Sequence, residues 1–223
     1  MRACARATCL LINDGQREEA ERATEKFIEA FGEGWLASHA PLAAFAWQNK
    51  LSQKADVRMM AEINDSLNSS EYLEEFDHFL SGKWVAVVGN SPREVGRGLG
   101  PEIDAHDVVI RFSTFNTLPP YDKDYGSKVH IAVNNAGGLQ LLSTAKTENL
   151  PKYSVTFQHS GSVFIVGQKK IQSVYDHLKS GIKMIALPIS KWLLLMEKLS
   201  GVIPSSGLLC LAYVKALNPS LSI

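Results

Sequence analysis

The chain has 223 residues, 45% apolar and 21% charged, enough for one sizeable core or a small helical unit beside a larger domain. Lys and Arg number 23, as do Asp and Glu, so no basic field is available to follow a nucleic-acid backbone, and nucleic acid is excluded as an expected partner. No run approaches the roughly 20 uninterrupted apolar residues of a membrane span. The apolar end of MRACARATCLLI stops at Asn13-Asp14-Gly15, too short for a signal-peptide core. Cys4, Cys9 and Cys210 are odd in number and scattered, with no CxxC pair and no histidine at ligand spacing, which argues against a disulfide framework and a zinc site alike. A reducing compartment is the default, and the expectation is a cytoplasmic protein.

Residues 1–80 are helical in pattern. From Gln16, Ala20, Ala23, Phe27, Ile28 and Phe31 fall on one face, and Gly32 and Gly34 end the run. A second helix is predicted over about Pro41 to Leu51. A third, near Asp56 to Leu67, buries Met60, Ile63 and Leu67. A fourth begins after Asn68, with Glu71 as its capping-box partner, and carries Leu73, Phe76 and Leu80. The stretch LLINDGQREEAERATEKFIEAF resembles the helix-turn-helix of a tetratricopeptide repeat, but no second copy follows at a fixed period. Two readings stay open: a helical lead-in to the following domain, or a repeat remnant that docks a protein partner through residues 1–80.

From Lys83 the pattern changes. WVAVVGN, DVVIRF (107–112), VHIAVNN (129–135), SVFIVG (162–167) and KMIALP (183–188) are short apolar, β-branched runs that read as buried strands. Helical patterns alternate with them: Ile171, Val174, Tyr175 and Leu178 share a face before Gly181, SKWLLLMEKLSG follows, and a last helix opens at Ser205-Ser206. Alternation of this kind predicts an α/β domain over residues 81–223, with a mainly parallel Rossmann-like sheet and helices on both faces.

The segment VAVVGNSPREVGRGLGPEIDAHDVVIRF (85–112) is the most informative. Ligands of parallel sheets bind outside the carboxyl ends of the strands, and the loop after the first strand commonly handles phosphate. Gly89 admits a ligand close to the backbone, and Asn90 and Ser91 offer short polar side chains and N–H groups. The glycines at 89, 96, 98 and 100 do not form the GxGxxG fingerprint of dinucleotide folds, and no acidic ribose ligand stands in the usual place. No Asp-x-Asp pair stands in a loop directly after a strand, so no metal-bridged diphosphate is expected. The cluster Glu102, Asp104, His106, Asp107 and Arg111 reads as scaffolding around the second strand rather than as an acid/base set. His39, His78, His130, His159 and His177 have no spacing that marks a site.

VVGNS, GxGPEIDxHDxVIRF and YGSK, spanning residues 85–128, closely resemble the large sialyl motif of the eukaryotic-type sialyltransferases, glycosyltransferase family 29. Pro204-Ser205-Ser206-Gly207-Leu208-Leu209 resembles the start of that family's small motif, and the two stand in the family's order. The resemblance covers about 120 residues and leaves 1–80 unexplained. It implies a single Rossmann-like, GT-A-variant domain that transfers a sugar acid from a CMP-activated donor to a glycan hydroxyl with inversion, in glycan biosynthesis and protein glycosylation, without metal or other cofactor. It assigns Gly89, Asn90 and Ser91 to the donor's phosphate and ribose, and Ser205, Ser206 and Gly207 to the nucleotide from the opposite side. A Ser-Ser-Gly at a helix start offers hydroxyls and unpaired N–H groups, although on the residues alone ordinary N-capping is the favoured reading of both serines.

The sequence also departs from the family. The cysteine that opens the large motif and its partner in the small motif are replaced here by Val85 and, approximately, Asn218, as expected of a bacterial-like member folding in a reducing compartment. Ser113 stands where the resemblance implies a donor-contacting Asn. The family's catalytic histidine lies downstream of the small motif, so the base is expected beyond Ile223, and the chain as given is expected to be inactive. The alternative is a catalytically inactive nucleotide- or glycan-binding module with a helical partner-docking segment.

Overall fold

A computed structural model describes residues 1–112, 114–134, 145–158, 171–188 and 205–218. The strand expected at 162–167, the helical pattern at 190–201, Ser113 and Pro204 lie outside the described residues. The chain divides into two compact units, one of Met1–Asn68 with His159–Ser180, the other of Ser69–Gln158 with Gly181–Ile223.

In the first unit, α1 (Arg2–Asn13) and α2 (Arg17–Phe31) are joined by a turn. A 3₁₀ segment, Glu33–Ser38, leads to α3 (Ala40–Gln48) and α4 (Ala55–Leu67). The amphipathic spacing of α2 buries Ala20 and Phe27 and leaves Ala23, Ile28 and Phe31 partly covered. Met60, Ile63 and Leu67 of α4 are buried as their spacing requires. Ile171 and Val174, on the helix Ile171–Lys179, are buried too. Glu62 accepts from Tyr175 Oη at 2.9 Å and Lys179 Nζ at 2.6 Å, tying that helix to α4.

The second unit opens with α5 (Ser70–Leu80). Its cap is Ser69, whose hydroxyl accepts from Tyr72 N at 3.2 Å, one residue later than the sequence pattern suggests. Asn68 is unavailable because its side-chain amide donates to Asn64 O at 2.8 Å, closing the end of α4. Five strands follow among the described residues: β1 (Val85–Val88), β2 (Val108–Phe112), β3 (Ile131–Asn134), β4 (Tyr153–Gln158) and β5 (Lys183–Pro188). All four pairings are parallel and the order is β1-β2-β3-β4-β5. The α/β architecture with a helical N-terminal segment agrees with the expectation. Two short helices, α6 (Gly100–Asp104) and α7 (Asp122–Tyr125), lie in the first two crossovers, and the helix Ile171–Lys179, α8, in the last. The helix Ser206–Leu217, α9, follows β5.

The strand β4 was not anticipated. YSVTFQ alternates apolar and polar residues, and Ser154 and Thr156 break the apolar run that marked the other strands. Both are nonetheless buried. One face of the sheet is apolar: Val85, Val108, Ile110, Ile131, Val133, Tyr153, Val155, Ile185 and Leu187 pack with Phe76 and Leu80 of α5 and Leu209, Cys210, Tyr213 and Val214 of α9. At its rim, Glu75 accepts from Tyr153 Oη at 2.9 Å and pairs with Lys152 at 3.1 Å and with Lys183. The Lys183, Lys152 and Tyr153 donors hold the Glu75 carboxyl at about 2. At the end of α9, the Asn218 side chain accepts from Gly82 N and donates to Leu80 O at 3.0 Å, fastening that helix to the turn before β1. The residue that the family resemblance places at the second cysteine position therefore makes a hydrogen-bonded tie to the same part of the chain. All three cysteines are free.

Candidate nucleotide-binding site

A cavity of about 230 Å³ opens at the carboxyl ends of β1 and β2. Gly89, Asn90, Pro92 and Val95 line it from the loop after β1, and Arg111 from β2. Thr114, Phe115, Asn116, Tyr121 and Tyr125 complete the wall from the segment after β2. The described strands follow one another in chain order, so the cavity sits beside the first two strands rather than at a reversal of strand order.

Side-chain bonds rather than regular structure hold the loops around it. Asn90 Nδ2 donates to Phe112 O at 2.7 Å and Thr114 O at 3.4 Å, stitching the first loop to the end of β2. Ser91 Oγ accepts from Arg93 N at 3.3 Å and caps the 3₁₀ turn Pro92–Glu94, while Ser91 O accepts from Tyr125 Oη at 2.7 Å. Asp124 accepts from Gly96 N and Gly98 N, both at 2.8 Å, and those bonds hold its carboxyl below the ordinary value.

A reciprocal brace runs the other way. Asp104, at the end of α6, accepts from Ser127 N at 2.8 Å, Lys128 N at 2.9 Å and Ser127 Oγ at 2.9 Å. Burial works against its charge, but these donors outweigh burial and keep its carboxyl below the ordinary value. The two carboxylates thus bind each other's loops. Two glycines make this approach sterically feasible. A Cβ at Gly100 would lie 2.2 Å from Asp122 O, and Gly126, at φ +75°, would place one 2.5 Å from Asp104 Oδ1. The motif GPEID…YDKDYGSK is therefore read physically as a two-way clamp behind the cavity.

Asp122 and Asp124 do have Asp-x-Asp spacing, but on α7 rather than in a loop directly after a strand. Asp124 serves the glycine loop, and Asp122 Oδ1 is buried without a hydrogen-bond partner among the described residues.

Of the residues expected at the site, Gly89 and Asn90 line the cavity, whereas Ser91 is not a lining residue and only bonds one, its carbonyl accepting from Tyr125 Oη. No atom of the described residues crowds the Gly89 Cβ position within 4 Å, so their packing does not demand glycine there. Ser205 caps α9, its hydroxyl accepting from Leu208 N at 3.3 Å, and Ser206 and Gly207 form the first turn; none of the three is among the lining residues. Arg111, Asn116, Tyr121 and Tyr125 line the cavity and were not anticipated. The only sequence signal for the tyrosines is their i, i+4 spacing across a segment that already carries the YGSK match.

The scaffold reading of the acid/base-like cluster fits the geometry. Asp107 accepts from Trp84 N at 3.0 Å, and His106 bonds Glu102 O at 2.9 Å and stacks on Trp84 at 3.9 Å. His130 Nδ1 accepts from Val109 N at 3.0 Å, and burial lowers the pKa of its ring. Trp84 precedes β1 and His130 precedes β3, so these groups lie at the amino ends of the strands, away from the cavity.

Comparison with known proteins places this geometry. Beta-galactoside alpha-2,6-sialyltransferase 2 of Danio rerio is 43% identical over 54 residues, a stretch that covers 24% of this chain and 10% of that relative. The family profile described as glycosyltransferase family 29 (sialyltransferase) matches residues 37–159, which include β1 to β4 and every residue lining the cavity. The match extends over more than half of the chain, which belongs to glycosyltransferase family 29.

Proposed function

We propose that this chain forms the donor-nucleotide wall of a sialyltransferase-type enzyme that moves a sugar acid from a CMP-activated donor to a glycan hydroxyl. The observation that carries this reading is the cavity at the carboxyl end of β1, bordered by Gly89 and Asn90 and lying inside the family-matched span. Transfer from a nucleoside-monophosphate donor in one inverting displacement requires the donor to be held so that the acceptor hydroxyl attacks opposite the leaving phosphate. The chain's part in that step is binding and orientation: Asn90 is fixed by its bonds to β2, and the clamps at Asp104 and Asp124 hold the loop in place before a ligand arrives. Ser91, Ser113, Ser205, Ser206 and Gly207 join this proposal as donor contacts.

Among the described residues, none of the histidines is a lining residue of the cavity, so the proton acceptor for the hydroxyl is assigned to residues outside the described set. The reading needs no divalent cation, because a departing monophosphate carries less charge than a diphosphate. The three free thiols are compatible with folding in a reducing compartment, in keeping with a cytoplasmic location. Titration calorimetry with CMP, UMP, GMP and NAD tests the assignment: CMP is expected to bind tightest, with affinity unchanged by EDTA. Equal or tighter binding of NAD would overturn it.

A further inference from the structure

Arg111 is 1% exposed, yet among the described residues it forms no ion pair. Nε donates to Lys128 O at 2.8 Å, and Nη2 donates to Tyr125 O at 2.7 Å and Gly126 O at 3.1 Å. The ring of Phe115 stands 6.0 Å from Cζ. All of these partners are neutral. Asp104 acts on the guanidinium through space, but its carboxylate bonds go to Ser127 and Lys128. Nη1 has no hydrogen bond among the described residues.

A buried cation satisfied only by dipoles is an expensive arrangement, and its cost falls sharply when an anion completes the pair. Burial lowers this guanidinium to about 10, which still leaves it charged near neutral pH. Three carbonyl bonds fix its plane, so it cannot swing out to solvent as a surface arginine would. It also lines the cavity, beside Gly89, Asn90 and Asn116. A fixed, desolvated guanidinium beside the loop after the first strand is suited to a phosphate oxygen, where a charge-assisted bond needs no reorganisation.

We infer that Arg111 is a direct phosphate contact of this cavity, using Nη1, in addition to bracing the loop at 125–128. The inference rests on the nucleotide reading above and adds to it a named source of positive charge. It predicts that affinity follows the phosphate, not only the base.

The test compares cytidine, CMP and the free sugar acid on the full chain by calorimetry, in the unsubstituted protein and in Arg111→Lys, with thermal melts to establish that each is folded. One charge-assisted bond corresponds to roughly a 10- to 100-fold gain, so CMP is expected to bind at least ~10-fold tighter than cytidine in the unsubstituted protein. Arg111→Lys, which cannot reproduce the planar fork, is expected to lose most of that gain while keeping its cytidine affinity. Equal affinity for CMP and cytidine in the unsubstituted protein overturns the inference, and this arm needs no variant to fold. A CMP advantage that survives in a folded Arg111→Lys overturns it as well. So does competition by the free sugar acid without any phosphate effect, which would assign the cation to a carboxylate. Failure of the nucleotide reading shows separately, as absence of preference for CMP over UMP and GMP.

Discussion

On the side of the sheet covered by α5 and α9, the strands present Val85, Val108, Ile110, Ile131, Val133, Val155, Ile185 and Leu187. On the other side the same strands present Arg111, Asn134, Ser154 and Thr156 among Val109, Ala132 and Met184, all buried. Asn134 Nδ2 donates to Ser154 Oγ at 3.0 Å, whereas Asn134 Oδ1 and Thr156 Oγ1 have no hydrogen-bond partner among the described residues. The difference separates two tasks that share one backbone. The apolar side gains stability from area removed from water, while the other side gives up part of that gain at these polar residues, of which Arg111 lines the cavity.

Substitutions on the two sides should therefore behave oppositely. The largest effect is expected from Ile131→Ala on the apolar side, where the side chain is completely buried: a loss of ~2–5 kcal/mol, read by urea denaturation. A smaller loss would mean that the α5–α9 face is more loosely packed than its burial indicates. Next is Asn218→Ala, which removes the tie from α9 to Leu80 and Gly82, although Leu80 O keeps its bond from Lys83 N at 3.3 Å and Gly82 is exposed to water. A cost of about 0.5–1.5 kcal/mol follows from the lost side-chain hydrogen bonds, and unchanged stability would show that water replaces the amide freely. The smallest effect, and of opposite sign, is expected from Thr156→Val. Removing an unpartnered buried hydroxyl at nearly constant shape should leave stability unchanged or raise it by up to ~1 kcal/mol. A marked loss there would show that the hydroxyl has a partner after all, and would remove the contrast between the two faces.

This division also explains what was legible in the sequence. The strands β1, β2, β3 and β5 are runs of apolar, β-branched residues buried on both sides, and such runs announce themselves. The strand β4 carries its polar residues inward, and the pattern that marks a solvent-facing side was here a buried one. At the site, Gly89 and Asn90 were legible because they follow directly from a strand. Tyr121, Tyr125 and Asn116 were not, since their convergence depends on the path of a segment without periodicity and on the Asp124 and Tyr125 bonds that fold it back onto the first loop. Ser205 was read in two ways, and its hydrogen bond is that of a helix cap. The role of Arg111 was half legible: scaffolding shows in its three carbonyl bonds, but its lack of a carboxylate partner appears only in three dimensions.

The strand order has a consequence for how this sheet can assemble. Every described pairing joins strands that are consecutive in the chain, β1 with β2, then β3, β4 and β5. During synthesis each new strand finds its partner already made, and no early strand must wait with an open edge for a distant one. The closure entropy of each addition is set by one crossover alone, which keeps the mean sequence separation of the sheet contacts low for a parallel fold. The last crossover, residues 159–182 with α8, is the longest of the four. The β4–β5 ladder is also the longest, with six paired positions, so the longest closure is matched by the most extensive register.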